Sequence, residues 1–190
     1  MKKRVFIVHG WGGNPNEHWL PWLKGELEQK GFEVHMPSMP NTDEPIITDW
    51  VGHLSKIVGE LDSQTYFVGH SVGCQTIMRY LETQAGKKAG GCVLVAAWFI
   101  LQGLENDEEE RIAKPWMQND VDYEKIRSVT SNISVLNSSN DDYGAVEVNK
   151  RLFKERLHAD VKVLENRGHF TTGDGITQLP EALEAIEGFR

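Results

Sequence analysis

The chain is poor in cysteine, in long apolar runs and in positive charge. Its two cysteines, Cys74 and Cys92, are too few for a disulfide framework and fit a reducing, cytoplasmic setting. The longest apolar stretch, Cys92 to Leu101, is about half the length a membrane-crossing helix needs. Lys2-Lys3-Arg4 precedes an apolar run, as in a secretory leader, but that run stops at His9, too early for a leader core. Lys and Arg number 20 against 28 Asp and Glu, for a net charge of −8, which argues against nucleic acid or an anionic membrane surface as a partner. Cys/His spacings suited to zinc, a Walker-type loop and a dinucleotide fingerprint are absent, so no metal and no organic cofactor is expected. Repeats, low-complexity tracts and linkers are absent too, and the 190 residues are expected to form one domain, 1–190, around one core.

What is present alternates. Strand-like apolar runs lie near 4–8, 32–36, 65–69, 91–97, 132–137 and 161–165, and helical patterns near 16–30, 44–61, 71–85, 120–128, 145–158 and 178–188. Such alternation predicts an α/β fold: a mostly parallel six-stranded sheet with helices on both faces. The segment 98–119 is irregular, running from Trp98-Phe99 through an acidic run to Lys114-Pro115-Trp116, and reads as a very short cap-like insertion. Within it, Asp107-Glu108-Glu109-Glu110 reads as the solvated start of a helix, where acids are favoured.

The most specific signal is Gly69-His70-Ser71-Val72-Gly73, set between the strand pattern Thr65–Val68 and a helix pattern with Ile77, Met78 and Leu81 on one face. A serine between strand and helix, flanked by glycines, is the sequence form of a nucleophile elbow, a strained turn that presents the hydroxyl at the sheet edge. The duller role for Ser71 is a helix N-cap. An earlier strand, Arg4–Val8, leads into His9-Gly10-Trp11-Gly12-Gly13, whose glycines would let bare backbone approach a developing oxyanion; the donors would be the amides of Trp11 and Val72. Late in the chain, Asn137–Gly144 follows one strand pattern and Asn166-Arg167-Gly168-His169-Phe170 follows the next. Serine, acid and histidine thus fall in that order at strand ends. Asp141 and Asp142 both lie in the acid loop, and the residues themselves do not choose between them.

Taken together, His9-Gly10-Trp11, His18–Leu23, Met39-Pro40-Asn41, the elbow, Ser138–Asp142 and Gly168-His169-Phe170 resemble the small α/β-hydrolases of the retinoblastoma-binding-protein-9 and YdeN type, over nearly the whole chain. The resemblance implies a minimal α/β-hydrolase fold and serine hydrolase chemistry. In that family the second of two adjacent aspartates is the triad acid, which points to Asp142, so the implied catalytic set is Ser71, Asp142 and His169. The family's apolar residue and proline after the acid are replaced here by Tyr143-Gly144, and no Leu-x-Cys-x-Glu motif is present, so the retinoblastoma-binding role does not transfer.

The expected reaction is attack of Ser71 on a small carboxyl ester or amide, with His169 as base, the acid holding its tautomer, and an acyl-enzyme that water clears. His18, Trp98, Phe99, Trp116 and Phe170 flank the site in sequence and are the expected pocket lining. Trp19 and Trp22 read as core, Cys74 as a small buried hydrophobe and His70 as structural. The readings of another class are a non-catalytic interaction module on the same scaffold, or another triad chemistry such as perhydrolysis or a lyase reaction.

Overall fold

The computed structural model describes residues 2–189. Six strands, β1 (Arg4–Val8), β2 (Glu33–His35), β3 (Thr65–His70), β4 (Gly91–Val95), β5 (Ile133–Ser138) and β6 (Asp160–Leu164), pair in parallel in the order β2-β1-β3-β4-β5-β6. Seven helices are interleaved: α1 (Leu20–Gln29), α2 (Ile47–Val58), α3 (Val72–Glu82), α4 (Asp107–Gln118), α5 (Tyr123–Val129), α6 (Val146–Leu157) and α7 (Pro180–Gly188).

The period of two along β1 shows why the sheet needs cover on both sides. Val5 and Ile7 enter one apolar cluster with Trp19, Leu20 and Leu23 of the α1 region and Ala182 and Ile186 of α7. Phe6 and Val8 enter the other, with Trp50 and Leu54 of α2, Ile77 and Leu81 of α3 and Phe153 of α6. Both faces are therefore buried, and the central strands read as continuous hydrophobic runs. The expected α/β architecture is present.

Boundaries follow local chemistry. The helix expected from residue 16 begins at Leu20, because His18 holds a left-handed φ of 56° and Pro21 favours the first turn. The strand expected to reach residue 97 ends at Val95; Ala96 turns with φ 50°, and the Asn137 side chain bonds both the N–H and the C=O of Ala97 in place of a neighbouring strand. In the cap-like segment the acidic run does start a helix, α4, and Asn106 caps it by accepting the N–H groups of Glu108 and Glu109. No helix among the described residues is long and apolar enough to cross a membrane.

The strand order reverses between β1 and β3, its neighbour in space. In a doubly wound sheet, the crevice beyond the carboxyl ends of the strands at such a switch point is where ligands bind. Val8 pairs with Gly69, so the loop after β1 and the turn after β3 leave the sheet side by side. Ser138 pairs with Leu164, which does the same for the acid and histidine loops.

Candidate active site

Ser71 occupies the single residue between β3 and α3, with φ 53° and ψ −119°. For a residue with a Cβ this is a strained conformation, costing about 1–3 kcal/mol. Its neighbours explain why glycine is needed on both sides. A Cβ on Gly69 would meet Cys74 N at 2.7 Å, and one on Gly73 would run into Val8 O and come within 2.7 Å of His9 O. The Ser71 side chain makes no cap hydrogen bond, so the N-cap role does not account for it. Its amide donates to Val95 O at 2.9 Å, which ties the elbow to β4.

The loop after β1 is pinned by His9. This buried ring donates from Nδ1 to Gly10 O at 2.8 Å and accepts the Met39 amide at Nε2, 3.0 Å away, in the neutral tautomer. Burial holds its pKa below the usual histidine value, against the opposing pull of the Gly10 bond and Glu17. A Cβ on Gly10 would stand 3.2 Å from His70 Nδ1 and 3.4 Å from Ser71 Cβ, so the loop lies directly on the elbow. Gly12 N–H donates to Thr42 O at 2.8 Å and Gly13 N–H to Gly10 O at 3.3 Å, whereas the Trp11 amide has no acceptor among the described residues. Val72 opens α3, so its amide has no intrahelical acceptor either.

The late loops are zipped together by short polar side chains. Ser139 Oγ accepts the Asn166 amide, Ser138 Oγ that of Arg167 and Asn140 Oδ1 that of Gly168, at 3.1, 2.9 and 2.9 Å. The next pairing joins the two loops through a histidine: His169 Nδ1 lies 2.9 and 3.0 Å from the two carboxylate oxygens of Asp141. The carboxylate on the histidine is therefore that of Asp141 and not the expected Asp142, which is exposed. The reason is local. Asp141 Oδ1 also accepts the Tyr143 amide at 3.0 Å, a turn that directs the first carboxylate inward and leaves the second outside.

His169 is held at its backbone as well. Its N–H donates to Asp174 Oδ2 at 3.0 Å, and its C=O accepts the Nε2–H of His70 at 2.8 Å. His70 is buried, and burial, helped by the nearby His169 charge and only partly offset by that bond, pushes its pKa down to about 3. It is a neutral structural donor, as expected. Asp174 also accepts the Thr171 amide and hydroxyl; burial alone would raise its pKa, but these bonds and the His169 amide outweigh it and hold the group low.

Ser71 and His169 border one cleft of about 280 Å³ together with Trp11, Val72, Trp98 and Tyr143. Among the described residues no hydrogen bond joins Ser71 to His169, and contacts of this kind commonly tighten only with substrate bound. Of the expected pocket lining, Trp98 is there. The others are elsewhere. Phe170 has φ 58°, is fully buried and turns into the α1/α7 core. Phe99 packs 4.3 Å from Phe153, and Trp116 is buried with its indole N–H on Pro45 O. His18 accepts the Thr172 amide and lies edge-on to His70, outside the cleft lining.

Leu101, Leu104, Glu109 and Tyr143 complete the cleft wall and were not legible in sequence. They converge because Leu101 bridges to Gly144 and the buried Asn149 side chain binds the backbone of Phe99 and Ile100. Among the described residues no group of His, Cys, Asp or Glu is arranged to hold a metal ion. Both thiols are buried, which raises their pKa values, that of Cys92 to about 12.

The chain is similar to several known proteins. YdeN of Bacillus subtilis strain 168 is 31% identical over 191 residues, covering 100% of this chain and 97% of its own. The solved structure of the ydeN gene product superposes with a TM-score of 0.89, covering 98% of this chain and 97% of that one. The serine hydrolase RBBP9 of Rattus norvegicus is 28% identical over 171 residues, 88% of this chain and 87% of its own. Polyneuridine aldehyde esterase, at 15% identity and a TM-score of 0.67 over 98% of both chains, shows the shared α/β-hydrolase fold. The serine hydrolase family model matches residues 5–187, from the first strand through the last helix, and with it the elbow and both late loops. The chain belongs to the serine hydrolase family.

Proposed function

We propose that the protein cleaves carboxyl esters of small molecules through an acyl-enzyme, with Ser71 as nucleophile, His169 as general base and acid, and Asp141 as the orienting carboxylate. The observation that carries this is the Asp141 carboxylate on His169 Nδ1, with His169 and the strained Ser71 on the same cleft. Asp141 selects the tautomer that leaves Nε2 free to take the Ser71 proton, and it stabilises the imidazolium formed on attack. The amides of Trp11 and Val72 are the donors for the tetrahedral oxyanion; both lack protein acceptors, and the glycine-rich loop carrying the first is pressed onto the elbow. His169 then protonates the leaving alcohol, and water, activated by the same imidazole, releases the acid.

Esters rank ahead of amides because an ester carbonyl is less stabilised by resonance and its alcohol is expelled more readily than an unprotonated amide nitrogen, and an esterase among the fold neighbours supports the same reaction class. The two free, buried cysteines support a reducing compartment such as the cytoplasm. The test is labelling with a fluorophosphonate, read by intact mass and peptide mapping. One adduct on Ser71, absent in Ser71→Ala, with turnover of short-chain esters, is the expected result. Folded protein that neither labels nor turns over an ester would leave the hydrolase scaffold in a non-catalytic role.

A further inference from the structure

The wall of the cleft combines aromatic surface with a fixed negative charge. Trp11, Tyr143 and the almost wholly buried Trp98 line it together with Glu109, while among the described residues no Lys or Arg belongs to the lining. Glu109 is the third residue of α4 and half-buried; its Oε2 accepts the Glu105 amide at 2.7 Å and its Oε1 an Asn106 amide hydrogen at 3.1 Å. These bonds keep the charge at one place on the wall. The guanidinium that follows it on α4, Arg111, is engaged elsewhere, with Glu44 and Glu108. Tyr143 reports the same field: burial first, then the charges of Glu105, Glu109, Asp142 and Asp141, hold its hydroxyl above the usual phenol value and therefore protonated.

We propose that this cleft selects esters bearing a quaternary alkylammonium group and discriminates against anionic ones, with Glu109 and the aromatic side chains of Trp11 and Tyr143 as the selecting elements. The inference rests on the ester hydrolase reading above and names its substrate class. A quaternary alkylammonium ion has no N–H and is weakly hydrated, so it enters an aromatic cleft at low desolvation cost and is drawn to the negative ring faces. A carboxylate carries a strong hydration shell and would be stripped of it beside a like charge. Helix capping by itself does not explain why the charge borders the cleft: Asp107, Glu108 and Glu110 share the first turn of α4, and only Glu109 of these four is in the cleft wall.

Three thioesters with the same acetyl group test this: acetylthiocholine, its uncharged carbon isostere 3,3-dimethylbutyl thioacetate, and the anionic S-acetyl mercaptopropionate. Released thiol is read with a disulfide reagent, to which the buried Cys74 and Cys92 are not accessible. The expected kcat/KM for the cation is about tenfold above the isostere, and for the anion about tenfold below it, as one unit charge at partly screened range allows. Both gaps should narrow at about 1 M salt, where the screening length falls to ~3 Å. Glu109→Gln, which keeps an acceptor for the Glu105 amide, should bring the cation-to-isostere ratio towards unity.

Equal rates for cation and isostere, or a ratio that neither salt nor Glu109→Gln moves, would overturn the charge selection and leave the hydrolase reading standing. A second readout is independent of turnover: choline should protect Ser71 from the fluorophosphonate at lower concentration than 3,3-dimethylbutanol. Equal protection would count against the proposal even if none of the thioesters is cleaved. No turnover and no label on Ser71 would remove the hydrolase reading and this inference with it.

Discussion

Asp141 and His169, 28 residues apart, are joined by a bidentate contact of 2.9 and 3.0 Å, and Asp141 is the more deeply buried of the two, with 4% of its side chain exposed against 17%. The ion-pair partner of the histidine is thus shielded from water, where its effect on the imidazole is strongest. Asp141→Asn should lower kcat for a short-chain ester by about 10³–10⁴-fold, because the amide favours the wrong tautomer. Asp142→Asn should stay within about threefold for a neutral ester, since its carboxylate is exposed and screened. Steady-state kinetics of the two variants side by side decides the assignment, and the reverse order would return it to Asp142.

The elbow glycines make a prediction about stability. A Cβ at Gly73 would collide with the backbone of Val8 and His9, atoms of the central sheet that cannot move aside as a flexible side chain would. Gly73→Ala should cost about 3 kcal/mol or more, measured by urea unfolding. At this chain length that corresponds to a fall in Tm of roughly 6–12 °C. Gly25→Ala is the control: a Cβ there meets nothing within 4 Å, and the position is helical, so the change should be neutral or stabilising.

His70 links stability to pH. Its folded-state pKa of about 3 lies below the ordinary 6.5 it would have in the unfolded chain, so on acidification the unfolded state takes up the proton first. Its contribution is therefore fully present above pH 6.5 and is lost as the pH falls from there towards 3. Over that window this one group gives a slope of about 1.4 kcal/mol per pH unit. His9 and His18 are shifted in the same direction by burial and steepen the wild-type curve. His70→Gln, which retains an N–H donor for the His169 carbonyl, should be flatter than wild type by that slope in chemical denaturation between pH 6 and 4.5. Identical slopes would show that the histidine is protonated in the folded protein.

Arg79 anchors the cap to the nucleophile helix. This buried guanidinium donates to Trp116 O and Asn119 O at 2.8 and 2.6 Å, at the C-terminal end of α4, and also bonds Gln75, whose amide in turn bonds Trp98 O. Burial lowers its pKa, and the nearby Glu82, Tyr123 and Asp120 oppose that shift without cancelling it. Arg79→Met should cost about 3 kcal/mol, because buried carbonyls lose their donor. It should also raise KM more than it lowers kcat, since α4 and Trp98 form part of the cleft wall while Ser71 and His169 are held by other contacts. A matched fall in kcat at unchanged KM would contradict that division.

Much of the fold was legible because it follows from short-range patterns. The alternation of apolar runs with helical spacing located all six strands, and the glycines around Ser71 marked the elbow. The added helix α4 was anticipated only as a helix start, because its apolar positions Ile112, Ala113 and Trp116 are few and Pro115 interrupts the pattern. The pocket lining was the poorest reading. Phe99, Trp116 and Phe170 are near the site in sequence, but Phe170 sits at a positive-φ turn and Trp116 on the inner face of α4, and both are buried in the core while Phe99 packs against it, since burial of a large aromatic surface is favourable.

By itself, then, the sequence determined the order of elements, the strained serine, the glycine-rich loop and the late histidine, since these depend on residue type and on periods of two and 3.6. The tertiary structure decided which aspartate meets His169 and which residues wall the cleft. Adjacent residues in a turn face opposite ways, and the phase of that turn is set by long-range partners such as the Ser138–Asn140 side chains on the amides of residues 166–168. Those partners come together only when the sheet does.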